Sequence, residues 1–419
     1  MPDHPVVHWT EGGREHVARW RSERGAPPPK RVIIVDDRIT ADDAYAQACQ
    51  GVALLWRGDF QNARQLLIAL ASRADRRPRK QARAATPSGV DARVDAFNRQ
   101  RQARSQRART LGMLLIALDE DYGIALRRAP DLRVACAEAF GPAGERSLVS
   151  LRELQGLVGA HEWRVKGIDI PAAGGRIHPH YGVFAPVRNE YVDLVAQTPL
   201  PRALAEVGLA FDIGTGTGVL AAVLARRGVA RVIATDQDPR ALACARDNLE
   251  RLGLADRVEV RQADLFPADR QGPTSDGRAP GAPERAALIV CNPPWLPARP
   301  SSALEHAVYD PESRMLTGFL KGVAAHLAPG GEGWLILSDL AEHLGLRSRA
   351  QLLEAFEAAG LRVLGRLDTR PRHPRASDPN DPLHQARSAE VTSLWRLAPP
   401  PRGCSRSLSS TAAAAPPAR

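Results

Sequence analysis

Two short stretches hold residue types that could do chemistry together. Phe211-Asp212-Ile213-Gly214-Thr215-Gly216-Thr217-Gly218 is an apolar run ending in an acid and followed by glycines at alternate positions. Such glycines permit positive φ and let a ligand lie against bare backbone, where the free N–H groups and positive dipole end of a helix meet it. The second stretch is Asn292-Pro293-Pro294-Trp295. Its prolines stiffen a turn, remove two N–H donors and leave carbonyls that no strand ladder uses. A carboxamide, free carbonyls and an aromatic face at one turn suit a planar, hydrogen-bonding substrate.

Both stretches need elements to hold them. Residues 209–213 read as a short buried strand, and Val219, Leu220, Val223 and Leu224 recur at helical spacing until Arg226-Arg227 and a stop at Gly228. The next strand, 231–235, ends in Asp236, which lies 18 residues beyond Gly218. That is close to the ~20-residue spacing at which an acid meets ribose hydroxyls in dinucleotide folds. Asp236 could equally cap a helix starting near Pro239, and to this point a nicotinamide oxidoreductase fits as well. Residues 286–291 read as a buried strand, which places Asn292–Trp295 at the strand end where α/β sheets keep ligands. An oxidoreductase gives that turn no task.

Asp-x-Gly-x-Gly-x-Gly, a second-strand acid and Asn-Pro-Pro-aromatic, in that order, resemble a class I S-adenosylmethionine-dependent methyltransferase acting on a planar nitrogen, over residues 178–397. The common aromatic of that family is Tyr or Phe; here it is Trp295. The resemblance implies that Asp212, Gly214, Thr215, Gly216 and Gly218 surround the methionine part of S-adenosylmethionine, and that Asp236 bonds its ribose. It further implies that Asp264, with Leu265 beside it, bonds the adenine amine, and that Asn292 borders the cofactor as well as the substrate. Asp264 alone also reads as a cap or turn residue ahead of Pro267. An amide or nucleobase amine has its lone pair delocalised and attacks a methyl group poorly. Asn292 and the Pro293 carbonyl, accepting its two N–H groups, would orient that lone pair, Pro294 would stiffen the turn, and Trp295 would stack on the planar group.

The remainder bounds the setting. The chain has 419 residues, 44% of them hydrophobic, enough for two to three packed domains. Its polar opening lacks the apolar core of a secretory leader, its aliphatic runs are too short to span a bilayer, and Cys49, Cys136, Cys244, Cys291 and Cys404 have no metal-ligand spacing. A cytoplasmic protein with reduced thiols and no bound metal is expected. Residues 31–36 read as a strand and 41–73 as helical, with further helical patterns at 94–118, 132–140 and 151–158, so a mainly helical N-terminal domain is expected over 1–160. An inter-domain segment follows over 161–200, then a Rossmann-like seven-stranded α/β methyltransferase domain over 201–398 and an unpacked tail over 399–419.

The segment His178-Pro179-His180-Tyr181-Gly182-Val183-Phe184-Ala185-Pro186 is similar to the Gly-Val-Phe-x-Pro stretch of methyltransferases that modify a glutamine in peptide-chain release factors. Their following Arg-Pro-Glu-Thr-Glu is here Val187-Arg188-Asn189-Glu190-Tyr191. Residues 73–109 hold 12 Lys or Arg against 3 Asp, nearly all of the formal charge of +10. That stretch, with Arg101, Arg104 and Arg107, reads either as a phosphate-contacting surface or as a solvated face of a chain with 53 Arg and 4 Lys. The expected substrate is therefore a protein glutamine amide, as in a translation factor, or a base amine in RNA or DNA; a non-catalytic binding module is the remaining alternative. The polar loop 369–385 reads as a substrate lid or an insertion.

Overall fold

The structure is a computed structural model that describes residues 4–76, 89–267, 284–300, 305, 307–372, 378–379 and 381–401. The N-terminal unit is built on strands β1 (Val6–Glu11), β2 (Arg14–Arg21), β3 (Arg31–Val35), β4 (Val52–Trp56), β5 (Leu114–Leu118) and β6 (Ser147–Ser150). Helices α1 (Ala41–Cys49), α2 (Phe60–Asp75), α3 (Val90–Leu111), α4 (Arg133–Phe140) and α5 (Leu151–Lys166) connect them. The six strands form one mixed sheet in the order β1-β2-β6-β5-β4-β3.

This corrects the expectation of a mainly helical domain. Val52-Ala53-Leu54-Leu55-Trp56 and Leu114-Leu115-Ile116-Ala117-Leu118 are unbroken apolar runs. Buried on both faces, such strands lack two-residue alternation and are indistinguishable from buried helix by periodicity. One face of the sheet holds Leu54, Trp56, Leu114 and Ile116 against α1, α2, α4 and α5, and the other carries Trp20, Leu55, Leu115 and Leu148.

A small hairpin, β7 (Ile168–Ile170) and β8 (Gly175–Ile177), leads to the C-terminal unit. Its elements are α6 (Glu190–Gln197), α7 (Leu204–Val207), β9 (Leu209–Ile213), α8 (Val219–Arg226), β10 (Arg231–Asp236), α9 (Pro239–Arg251), β11 (Val258–Gln262) and β12 (Ala286–Cys291). They continue with α10 (Arg314–His326), β13 (Leu327–Ser338), α11 (Leu340–His343), α12 (Arg349–Ala358), β14 (Arg362–Thr369), α13 (His384–Ala389) and β15 (Thr392–Ala398). The seven strands lie in the order β11-β10-β9-β12-β13-β15-β14, and only β15 runs antiparallel to its neighbours. Helices α6, α8 and α9 cover one face and α10 and α12 the other. All seven residues Val219–Ala225 of α8 are buried, as expected of a helix apolar all round at the centre of a domain. The chain reverses direction across the sheet between β9 and β12, the switch point that opens a crevice at the strands' carboxyl ends.

Helix α3 joins the two units. Only Phe97, Thr110 and Leu111 of its 22 residues are buried. Its C-terminal half is tied to α2 by Arg107 and Asp75 at 2.7 Å, while Phe97 lies among Leu296, Tyr309, Ala341, Leu344 and Leu383 of the C-terminal unit. Among the described residues no helix is long and apolar enough to cross a membrane, and no group of three or more His, Cys, Asp or Glu is placed to hold a metal.

Candidate active site

The register aligns the predicted residues. Thr235 of β10 pairs with Ile213 of β9, and Ile213 with Cys291 of β12. Asp236, Gly214 and Asn292, each one residue further on, therefore stand abreast at the ends of three adjacent strands. Asp264 lies two residues beyond Gln262, the partner of Asp236 on β11.

The glycine turn is needed for different reasons at each position. Gly214, Gly216 and Gly218 all have positive φ, at 71°, 54° and 80°. A Cβ on Gly214 would meet the Met315 side chain at 2.5 Å, and one on Gly218 the Ala245 backbone at 3.2 Å; at Gly216 it would meet nothing within 4 Å. Gly216 is thus where the turn opens onto free space, while Gly214 and Gly218 permit close packing by α10 and α9. The sequence suggested free N–H groups along the turn, but those of Gly214 and Thr215 bond Thr235 O, that of Gly218 bonds Thr215 O, and that of Gly216 bonds Asp236 Oδ2 at 3.0 Å. These bonds hold the turn's shape and leave its bare surface, more than its donors, for a ligand.

Asp212 is 1% exposed and accepts from Thr215 Oγ1 at 2.7 Å and Ala221 N at 3.0 Å. Burial pushes its carboxyl up to about 6 against these two bonds, with the Asp236 charge adding to the rise. Burial raises Asp236 too, although it accepts from Gly216 N and Asp238 N. The helix-cap alternative for Asp236 fails, since the side chain that caps α9 is Asp238. Asp264 is exposed, with Arg314 at 3.7 Å. Leu265 adopts φ 72°, a left-handed conformation costly for Leu. It is held there by Thr235 Oγ1, which donates to its carbonyl at 2.5 Å, and by contact of its side chain with Gly318. Glu312 and Ser313 are also left-handed and turn the chain into α10, whose start Asp310 caps by accepting from Met315 N and Leu316 N. Strain of this kind concentrates at ligand sites. Nothing in the sequence patterns marked Asp310, Glu312, Ser313 or Met315.

At the end of β12, Pro293 is buried and Asn292, Pro294 and Trp295 are half-buried. Trp295 donates its indole N–H to Asn292 Oδ1 at 2.9 Å. Cys291 is fully buried and its thiol is pushed well above the usual range by that burial, so it is packing and not a nucleophile. His178 and His180 both have partners within the protein. His178 Nδ1 meets Arg164 O at 2.7 Å, and His180 Nε2 lies 2.8 Å from Asp247. Asn248, wholly buried, donates to Thr217 O and accepts from His178 N, tying the glycine turn to this segment.

Residues 175–360 match the methyltransferase small domain family. The C-terminal unit has the Rossmann-like seven-stranded fold of class I methyltransferases and carries this family match. The chain is 36% identical over 198 residues to a release factor glutamine methyltransferase of Cereibacter sphaeroides, covering 43% of this chain and 65% of that protein. A second protein of that description, from Geobacter sulfurreducens, is 29% identical over 182 residues, covering 40% and 58%. A ribosomal protein L11 methyltransferase of Pelotomaculum thermopropionicum is 35% identical over 159 residues, covering 38% and 40%. The chain thus spans less than two thirds of the length of each of these relatives.

Among the described residues of the basic stretch, Arg73, Arg93, Arg101, Arg107 and Arg109 have internal partners. Arg107 is paired with Asp75; Arg101 bonds Arg299 O and lies 4.5 Å from the Tyr309 ring. Arg77, Arg79 and Lys80 lie outside the described residues, as do His373 and Arg375 of the 369–385 loop and all of the tail beyond residue 401. Of that loop, Arg372 pairs with Asp193 at 3.3 Å and His384 starts α13.

Proposed function

We propose that this protein transfers a methyl group from S-adenosylmethionine to the side-chain amide nitrogen of a glutamine in a protein, with a peptide-chain release factor as the first candidate. The observation that supports this most is the alignment of Asn292 beside Gly214 at adjacent strand ends, because it sets a carboxamide next to the bare turn where the methyl donor fits. The open side of Gly216, with the Asp236 carboxylate bonded to its N–H, suits a nucleoside–amino acid conjugate such as S-adenosylmethionine.

S-adenosylmethionine supplies an electrophilic methyl on a sulfonium centre. Gly214, Thr215, Gly216 and Gly218 would hold its methionine part above Asp212, Asp236 would take ribose hydroxyls, and Asp264 with Leu265 would take the adenine. Asn292 Oδ1 and the Pro293 carbonyl accept the two N–H groups of the substrate amide. They thereby orient its lone pair and stabilise the positive charge that develops on nitrogen. Pro294 stiffens the turn, and Trp295 offers a face for the planar amide. The proton leaves after transfer, so no general base is required. A translation-factor substrate would place the reaction in the cytoplasm.

The test is transfer of labelled methyl into purified release factor, with Asn292→Ala as control and mass spectrometry of the modified peptide. Methylglutamine formed only by the native chain supports the reading; label found in ribosomal RNA and absent from protein overturns it in favour of a base amine.

A further inference from the structure

We propose that Arg188 is a positioning residue for methyl transfer, acting through Trp295 on Asn292; the inference rests on the amide-transfer reading above. Arg188 has its guanidinium carbon 5.9 Å from the centre of the Trp295 ring, within the range at which a cation is drawn to an indole face. Two carboxylates fix it there, Glu390 at 3.3 Å and Glu190 at 3.5 Å, and both are buried. Glu390 is anchored in turn, since its Oε1 accepts from Ser338 Oγ at 2.7 Å at the end of β13. A rigid path thus runs from the sheet through Glu390 and Arg188 to the indole.

The indole is a donor only. An amide side chain can turn over and exchange oxygen for nitrogen, and only the oxygen can accept a substrate N–H. With Trp295 Nε1 at 2.9 Å, Asn292 presents its oxygen on that side. One lone pair is engaged by the indole, and the second stays available for the substrate. Tyr and Phe, the common residues at this place in the resembling family, have no such N–H. The other departure from the release-factor pattern is Val187-Arg188-Asn189-Glu190-Tyr191. The two departures meet in one contact, so each is useful given the other.

The test uses the full chain with ¹⁵N-labelled tryptophan, whose seven indoles give separate N–H signals; Trp295→Phe identifies the one from Trp295. In Arg188→Ala that signal should shift and exchange with water at least tenfold faster. The other six should stay put, which also certifies the fold. Transfer to release factor should lose at least tenfold in kcat, with KM for S-adenosylmethionine within twofold. Arg188→Lys, which keeps the charge and loses the planar fork, should recover only part of that loss. The double variant with Trp295→Phe should be no slower than Trp295→Phe alone. An unmoved indole signal, or a double variant whose loss is the product of the two single losses, overturns the proposal. If the native chain transfers no methyl group at all, the amide reading falls, while the indole signal still decides whether Arg188 holds Trp295.

Discussion

Trp295 and Asn292 are joined by a 2.9 Å hydrogen bond in which the indole donates to the carboxamide oxygen. On the proposed reading, the oxygen that would accept a substrate N–H is oriented before the substrate arrives, the kind of preorganisation that makes electrostatic stabilisation effective. Asn292→Ala removes the acceptor and leaves the glycine turn intact. Methyl transfer should fall at least about 100-fold, while the dissociation constant for S-adenosylmethionine stays within twofold by calorimetry. A variant with unchanged turnover would remove Asn292 from the chemistry.

The glycines of the turn should separate binding from stability. At Gly216 a methyl group meets no atom within 4 Å, so Gly216→Ala carries chiefly the left-handed backbone cost of about 1–2 kcal/mol. It also places that methyl in the ligand's space, and affinity for S-adenosylmethionine should drop at least tenfold. Gly218→Ala adds to the same backbone cost a 3.2 Å approach to the Ala245 backbone, so it should lower the melting temperature more than Gly216→Ala. Equal melting temperatures, or unimpaired binding by Gly216→Ala, would contradict this division.

How far the sequence could be read depended on what each signal encodes. The glycine turn, Asp236 and the Asn-Pro-Pro turn follow strands in a short, ordered spacing, and the register brought them into one row as expected. Strand β12 was legible because turn residues bound it, and β9 because glycines end it. The N-terminal sheet was not, because strands such as Val52–Trp56 are buried on both faces and carry no alternation. Met315 and Asp310 escaped notice because their roles exist only once α10 crosses the end of β9. The part played by Arg188 depends on Glu390, which lies 202 residues away along the chain.

The internal partners of the basic helix change what its arginines should do. Arg101 lies over Tyr309 and bonds Arg299 O, beside Leu296 and the end of the Asn-Pro-Pro-Trp turn. Arg101→Ala should loosen residues 296–300 and 307–310, seen as faster amide hydrogen exchange there, and leave the salt dependence of RNA binding unaltered. Were that exchange unchanged and the salt slope reduced by about one, Arg101 would be a phosphate contact instead.

Asp212 should give the protein a distinctive pH response. Burial lifts its carboxyl from 3.8 to about 6, so the folded chain holds this proton more tightly than the unfolded chain. Stability from this group is then fully present below pH 3.8 and is lost as pH rises through about 6. Between pH 4 and pH 7 the difference in unfolding free energy between the native chain and Asp212→Asn should move by about 2 kcal/mol toward the variant. Denaturant titrations at several pH values measure it directly. If S-adenosylmethionine binds as proposed, its sulfonium favours the ionised carboxylate of Asp212, so binding should release a proton and tighten from pH 5 to pH 7, and Asp212→Asn should flatten that rise. A native affinity independent of pH across 6 would mean that Asp212 shapes the turn through Thr215 and Ala221 without sensing the cofactor's charge.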